Sequence, residues 1–157
     1  MAQPTRPGGF DMSRGSTGSK ILLGAAIVLF ITLFLPWSGI DLGEFGEFAG
    51  ISGNISGFST GGAIAILLVL VLIALIAWEI MLMAGVTMNL GTMSPSLLSA
   101  ILGGVGALLG LIVFLMAIDA IKWGAFIGLL AVLALAYGAY MRYTEGRAPA
   151  PPPPPAA

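Results

Sequence analysis

The sequence of residues 62–84 is GAIAILLVLVLIALIAWEIMLMA, and Glu79 is its one charged side chain. An α-helix rises about 1.5 Å per residue, so about 20 consecutive apolar residues cross the hydrocarbon core of a bilayer. The stretch meets that length, and it is apolar on all sides, as a helix buried in lipid or protein is. We therefore predict a transmembrane helix here.

Long uncharged runs recur on both sides of this helix. Together with it, they predict spans at about 21–37, 62–84, 97–118 and 123–142. A very short turn separates the last two spans, and short turns make neighbouring helices antiparallel. The predicted fold is all-α: a polytopic membrane protein with a four-transmembrane-helix antiparallel bundle and disordered termini.

The composition agrees with a membrane location and excludes several kinds of chemistry. Hydrophobic residues make up 58% of the chain and charged residues 8%, whereas about 25% of residues are charged in soluble proteins. Cysteine and histidine are absent, which excludes disulfides, thiolate nucleophiles, histidine metal ligands and imidazole-based catalytic triads. No phosphate-binding loop or activated nucleophile can be assembled, so we expect neither enzyme activity nor a cofactor.

The segments outside the spans have a different composition. Gly, Ser and Pro predominate in residues 1–20, which contain too little apolar surface to fold alone. Glycine density in the first loop argues against a stable helix there, although its apolar residues place it on the bundle or lipid surface. We predict a disordered basic cytoplasmic arm at 1–20, a membrane domain at 21–143 with an outer Gly-rich loop at 38–61, and a disordered Pro/Ala-rich cytoplasmic tail at 144–157.

The distribution of charge predicts the orientation of the bundle, because Lys and Arg near span ends stay on the cytoplasmic side. Arg6, Arg14 and Lys20 precede the first span, and Arg142 and Arg147 lie at and after the end of the fourth. The first loop carries no Lys or Arg. We therefore predict a multi-pass protein of the cell (plasma or inner) membrane with both termini cytoplasmic. A cleavable signal peptide is the alternative for residues 1–38, but its apolar stretch continues into Pro36 and Trp37 without a clear A-x-A site.

Acidic residues in the first loop are a candidate cation site. Asp41, Glu44 and Glu47 recur every three residues. The EF-hand pattern is absent, however, and a metal would have to order a glycine-rich loop. A solvated acidic patch without a metal is the favoured interpretation.

Glu79 is the ionisable residue that lies well inside a predicted span, nearer its cytoplasmic end. A carboxylate at that depth costs a few kcal/mol unless it is protonated or paired. Arg142 approaches the same membrane face from the fourth predicted helix, so we predict an intramembrane ion pair in preference to proton or ion handling. A Glu79 face that looks into the bundle favours the pair, whereas an outward face favours a partner protein.

Small residues form a stripe along each of the last two predicted helices. Projected at 100° per residue, each stripe falls on one side of its helix. The helix-packing candidates are Ser99, Gly103, Gly106 and Gly110 on the third helix and Gly124, Gly128 and Gly138 on the fourth. In membranes, such stripes allow the backbones of two helices to approach closely. We predict that the two stripes pack the hairpin on itself, with an oligomer interface as the alternative.

The basic arm, the Leu35-Pro36-Trp37 end of the first helix, the Gly-rich acidic loop and the Ala/Pro tail are similar in layout to uncharacterised small four-helix membrane proteins of actinobacterial type. The resemblance covers residues 20–143 and implies a membrane location without an activity.

Our first functional hypothesis is a non-catalytic structural or accessory subunit of a larger membrane complex. The alternative is a small transporter or holin-like permeability protein in which Glu79 handles a proton or cation. The expected partners are the lipid bilayer and other membrane-protein subunits or a second copy of the chain; the net charge of −1 indicates no nucleic acid.

Overall fold

A computed structural model describes residues 10–40, 43–49, 53–86 and 88–147, together with residues 149 and 152. Within these ranges the chain forms α-helices, two short β-strands and two 3-10 turns. The helices are α1 Thr17–Thr32, α2 Gly43–Ala49, α3 Gly57–Met83, α4 Pro95–Met116 and α5 Trp123–Glu145, and the strands are β1 Pro36–Gly39 and β2 Asn54–Ser56. The 3-10 turns are Met12–Arg14 and Ile118–Ala120.

Four of these helices, α1, α3, α4 and α5, pack side by side as a bundle. Each has two principal neighbours, so that the order around the bundle is α1, α5, α4, α3. Helices α3, α4 and α5 are long and apolar enough to cross a membrane, whereas α1 has 16 residues and is shorter. The helical fold class is thereby confirmed, and so are membrane-length helices close to three of the four predicted spans.

The bundle is apolar both inside and outside. Its centre is filled by fully buried leucines from three helices, including Leu22, Leu72 and Leu135. Large apolar side chains also cover the outer faces: Leu70 is 60% exposed and Leu130 is 67% exposed. A surface of this kind is normal against lipid tails and a liability in water.

The start of α1 differs from the predicted start at residue 21. Ser16 caps the helix by accepting a hydrogen bond from Ser19 N at 3.1 Å, so that α1 begins at Thr17. Before it, Asp11 caps the 3-10 turn through Ser13 N at 2.8 Å. The prediction of disorder is therefore wrong for residues 10–20, because local caps organise this polar segment. The rest of the predicted arm, 1–9, lies outside the described residues.

The outer loop contains secondary structure that its glycine content did not predict. Strands β1 and β2 pair antiparallel, with Ser38 opposite Ile55, and Lys122 N donates to Trp37 O at 2.9 Å on the other side of β1. The expectation of no stable helix is wrong at α2. Gly43 enters α2 with a φ of +53°, which glycine adopts without strain, and Glu44 in the first turn complements the positive end of the helix dipole.

Helix α3 starts earlier than the predicted span at 62–84. Ser56 caps it by accepting from Ser59 N at 3.2 Å. Its first turn is offset from the rest by Gly62, whose φ of 51° and ψ of −126° are not helical. The break allows residues 57–61 to follow the outer strands while the longer part of α3 follows the bundle.

Candidate functional site

Polar side chains from all four bundle helices converge at one end of the bundle. Because the helices alternate in direction, this end holds the starts of α1 and α4 and the ends of α3 and α5. The group, here called the polar cluster, consists of Ser16, Ser19, Trp78, Glu79, Ser99, Arg142 and Glu145. It is the site that the described residues offer for chemistry or for structural control.

Arg142 is the hub of the polar cluster, and it is only 7% exposed. Its Nη1 donates to Ser16 Oγ at 3.3 Å and to Glu145 Oε2 at 3.1 Å. Its Nη2 donates to Ser99 Oγ at 3.2 Å. One guanidinium therefore connects α1, α4 and α5, as its planar fork of donors allows.

Glu79 lies on the fourth side of this hub, and it is fully buried. Its Oε2 accepts a hydrogen bond from Ser19 Oγ. Its Oε1 lies 3.8 Å from Arg142 Nε. The structure thus brings together the two residues of the predicted ion pair. The Glu79 face of α3 looks into the bundle, with Leu72 and Met83 buried beside it.

The contact between Glu79 and Arg142 is an ion pair without a hydrogen bond. Within the described part of the chain, Glu79 Oε1 and Arg142 Nε are both buried and have no hydrogen-bond partner. A buried charge without such a partner depends on the opposite charge for compensation. For Glu79 Oε1 that compensation comes from Arg142, whereas the Arg142 guanidinium also pairs with Glu145.

Glu145 extends the cluster to the bundle surface, and its side chain is 29% exposed. Its Oε2 accepts from Ser16 Oγ at 2.7 Å and its Oε1 from Gly18 N at 3.3 Å. A carboxylate at the start of α1 also meets the positive end of that helix dipole. Helix α5 thereby holds the first turn of α1 in place.

Several members of the polar cluster were not predicted as site residues. Only local signals mark these residues in the sequence. Ser16 and Ser19 stand ahead of an apolar run, where serine caps helices, and Glu145 is an acid three residues after Arg142. Ser99 was assigned to the small-residue stripe, yet its Oγ also accepts from Trp78 Nε1 at 3.1 Å. The partners of these groups depend on helix rotation, which a single sequence does not show.

The small-residue stripe on α4 is buried against two neighbouring helices. Added Cβ atoms show how close the contacts are: one on Gly103 would lie 2.7 Å from Leu22 Cδ2 of α1, and one on Gly110 would lie 2.6 Å from Val132 Cγ2 of α5. Gly106 is buried on the same face, with Leu135 of α5 opposite. This stripe therefore lets α4 approach α5 and reach across to α1.

The stripe on α5 does not face the stripe on α4, and the predicted mutual packing is wrong. A Cβ on Gly138 would lie 3.0 Å from Leu22 N of α1, and one on Gly124 would lie 2.5 Å from Pro36 O of β1. Gly128 contacts the indole of Trp37. The α4 stripe is met by larger side chains of α5 and α1, and the α5 stripe packs against α1 and β1 instead.

Trp37 closes the opposite end of the bundle. Its side chain is fully buried, and its Nε1 donates to Thr32 O at 2.6 Å. The indole lies between Gly128 of α5 and Gly57 at the start of α3, where a Cβ would lie 2.7 Å from Trp37 Cδ2. Trp37, at the end of the first predicted span, is thus a core residue.

The acidic patch of the outer loop lies only partly within the described residues. Asp41 and the side chain of Glu47 fall outside them, and Glu44 is exposed in the first turn of α2. Among the residues that are described, no group of three or more Asp or Glu side chains is placed to hold a metal ion. The solvated patch stays a prediction.

Comparisons with protein-family models, with curated proteins and with solved structures found no match.

Proposed function

We propose that this chain is a non-catalytic, multi-pass integral membrane protein that serves as a structural or accessory subunit of a larger membrane complex. The observation that carries the proposal is that Glu79 is held by contacts within the bundle. This carboxylate is buried, accepts from Ser19 and pairs with Arg142. A group held in this way fixes helix positions and does not line a path for solutes.

The interior of the bundle supports a static role. Between the polar cluster and the opposite end lies a layer of fully buried leucines, among them Leu29, Leu68 and Leu75. Trp37 fills the space beyond them. A proton or cation crossing the bundle would have to pass this apolar layer, which disfavours the alternative of a transporter or holin-like protein.

Four transmembrane helices with both termini cytoplasmic are part of the proposal. The 16 residues of α1 span about 24 Å at 1.5 Å per residue, and the chain continues through a turn to the buried Trp37, which lengthens the apolar unit. Lys20 and Arg147 both lie at the polar-cluster end of the bundle, which the positive-inside rule places in the cytoplasm. The resemblance in layout to actinobacterial four-helix proteins favours a cell (plasma or inner) membrane.

Surfaces for partner subunits lie outside the two small-residue stripes, which were the alternative candidates for an oligomer interface. Both small-residue stripes are occupied within the bundle. The outer loop and the lipid-facing sides remain, including a shallow groove between α1 and α3 lined by Phe30, Ile73, Ile76, Ala77 and Ile80. Partner contacts are therefore proposed on these outer faces.

Partner capture tests the proposal. A photo-crosslinking residue at Leu70, which is 60% exposed, should join the chain to another membrane protein in intact cells. The same residue at the buried Leu72 is the matched control and should give crosslinks within the chain only. Native mass spectrometry after extraction in mild detergent should then show an assembly containing the chain.

A solitary monomer without crosslinked partners at several exposed positions would refute the subunit role. A Glu79→Gln variant addresses the alternative function separately. If this variant keeps its abundance but loses a measured proton or cation flux, the transporter alternative replaces the proposed subunit role.

A further inference from the structure

A groove runs along the outer surface between α4 and α5. It encloses about 300 Å³ and is lined by Leu97, Ala100, Ile101, Ala139, Tyr140 and Tyr143. The two alanines form its floor because their side chains are shorter than those of the flanking residues. Tyr140 is 64% exposed and Ile101 is 45% exposed, so the groove opens toward the surroundings of the bundle.

The groove continues into a more polar pocket at the polar-cluster end of the bundle. Leu97 and Tyr143 line both spaces, and the second one adds Ser94, Gly146 and Arg147. The guanidinium carbon of Arg147 lies 4.3 Å from the centre of the Tyr143 ring. The apolar groove thus leads to the guanidinium of Arg147 at one end.

Arg147 differs from the other described arginines in its partners. Arg14 pairs with Asp11, and Arg142 pairs with Glu79 and Glu145. In the ranges that the structure describes, no carboxylate oxygen lies within 4.0 Å of Arg147, which is exposed. Its stacking on Tyr143 holds the guanidinium beside the mouth of the groove and leaves its charge available.

We infer that this groove binds one anionic phospholipid, with an acyl chain along Ala100 and Ala139 and the phosphate beside Arg147. The inference rests on the membrane placement in the proposed function and not on the subunit role. Charge complementarity selects the occupant: a basic residue at the cytoplasmic membrane surface attracts anionic headgroups, and tyrosines at that depth lie at the headgroup level. The apolar floor fits a hydrocarbon chain and offers nothing to a polar solute.

The test uses the full chain, purified in mild detergent and exchanged into equal amounts of phosphatidylglycerol and phosphatidylcholine. Native mass spectrometry then measures how much of each lipid is retained. We expect Arg147→Gln to weaken phosphatidylglycerol retention about fivefold, the contribution of one basic residue near an anionic surface, and to weaken phosphatidylcholine retention less, because the choline cation offsets its phosphate. Lys20→Gln removes an exposed positive charge from α1 and should alter neither lipid.

A second variant addresses the apolar part of the groove. Ala100→Phe fills its floor while Arg147 is retained, so it should reduce the retention of both lipids. Equal retention by the wild type, Arg147→Gln and Ala100→Phe would overturn the inference. An equal loss in Lys20→Gln would also overturn it, since general surface charge would then explain the binding. A dimer that Ala100→Phe dissociates would show that a second copy fills the groove instead.

Failure of the membrane placement gives a different result. Alkaline washing of membranes would then release the chain, whatever lipids the purified protein retains. A chain that resists washing but retains no lipid in the groove would refute the inference alone.

Discussion

Replacing Arg142 with Met should destabilise the bundle by about 3–5 kcal/mol, the usual cost of removing one partner from a buried ion pair. Methionine keeps much of the packing of the side-chain stem and removes the guanidinium. Glu79 then stays fully buried with no basic group within 4.0 Å among the described residues. At the observed 3.8 Å separation, Coulomb's law with an effective dielectric constant of about 20 gives an attraction of about 4 kcal/mol, which agrees with that range.

The geometry also predicts an order among related variants. Glu79→Gln should cost less than Arg142→Met, because the remaining guanidinium still pairs with Glu145 at 3.1 Å. Glu145→Gln should cost about 1 kcal/mol or less, since the Glu145 side chain is 29% exposed and its pair is partly screened by solvent. Combining Glu79→Gln with Arg142→Met should restore part of the loss, because no unpaired charge remains in the core.

The measurement is reversible unfolding by sodium dodecyl sulfate in mixed micelles, followed by tryptophan fluorescence. A double-mutant cycle over Glu79 and Arg142 should give a coupling free energy of about 2 kcal/mol or more. Two results would refute the reasoning: additive effects of the two substitutions, or an Arg142→Met variant no less stable than Glu145→Gln. Either would mean that the contact between Glu79 and Arg142 contributes little to the stability of the bundle.

Other substitutions test the remaining features. Trp37→Ala should lower the free energy of unfolding by about 3–5 kcal/mol in the same assay, whereas Trp123→Ala, at a side chain 56% exposed, should change it little; equal effects would contradict the buried position of Trp37. Gly138→Val should cost about 1–3 kcal/mol through overpacking against α1, and Gly104→Val, with nothing within 4 Å, should be nearly neutral; the reverse order would contradict the packing of α5 on α1. The pKa of Asp11 lies below 3.8, mainly because its carboxylate accepts a side-chain hydrogen bond from Ser13. The capped turn should therefore keep its full stability above pH 3.8 and lose it as the pH falls through the lowered pKa. An NMR titration midpoint above 3.8 for Asp11 would contradict the cap.

Helix positions were the most predictable part of the fold. The third predicted span, 97–118, corresponds to Pro95–Met116, and the fourth, 123–142, to Trp123–Glu145. Apolar length is a local property, so uncharged runs report it directly. The start of α1 was less accurately predicted, because the uncharged run begins only after Lys20, whereas the Ser16 cap begins the helix at Thr17.

The candidate site was predictable only where depth alone decided the contact. Glu79 and Arg142 were expected at the same membrane level, and the structure places them 3.8 Å apart. The serines that complete the site depend on how each helix is rotated about its axis. Strand β1 could not be predicted either, because its hydrogen-bond partners lie near residues 55 and 121, outside its own segment.

The wide separation of Ser16 and Arg142 along the chain has a consequence for synthesis. Their contact joins residues 126 positions apart, and translation at about 5–20 residues per second separates them by roughly 6 to 25 seconds. During that interval α1 exists without the guanidinium that binds its first turn and without the α5 glycines that receive it. Helix α1 is therefore made well before the contacts that fix its first turn exist, and it reaches its final position only after α5 has been made.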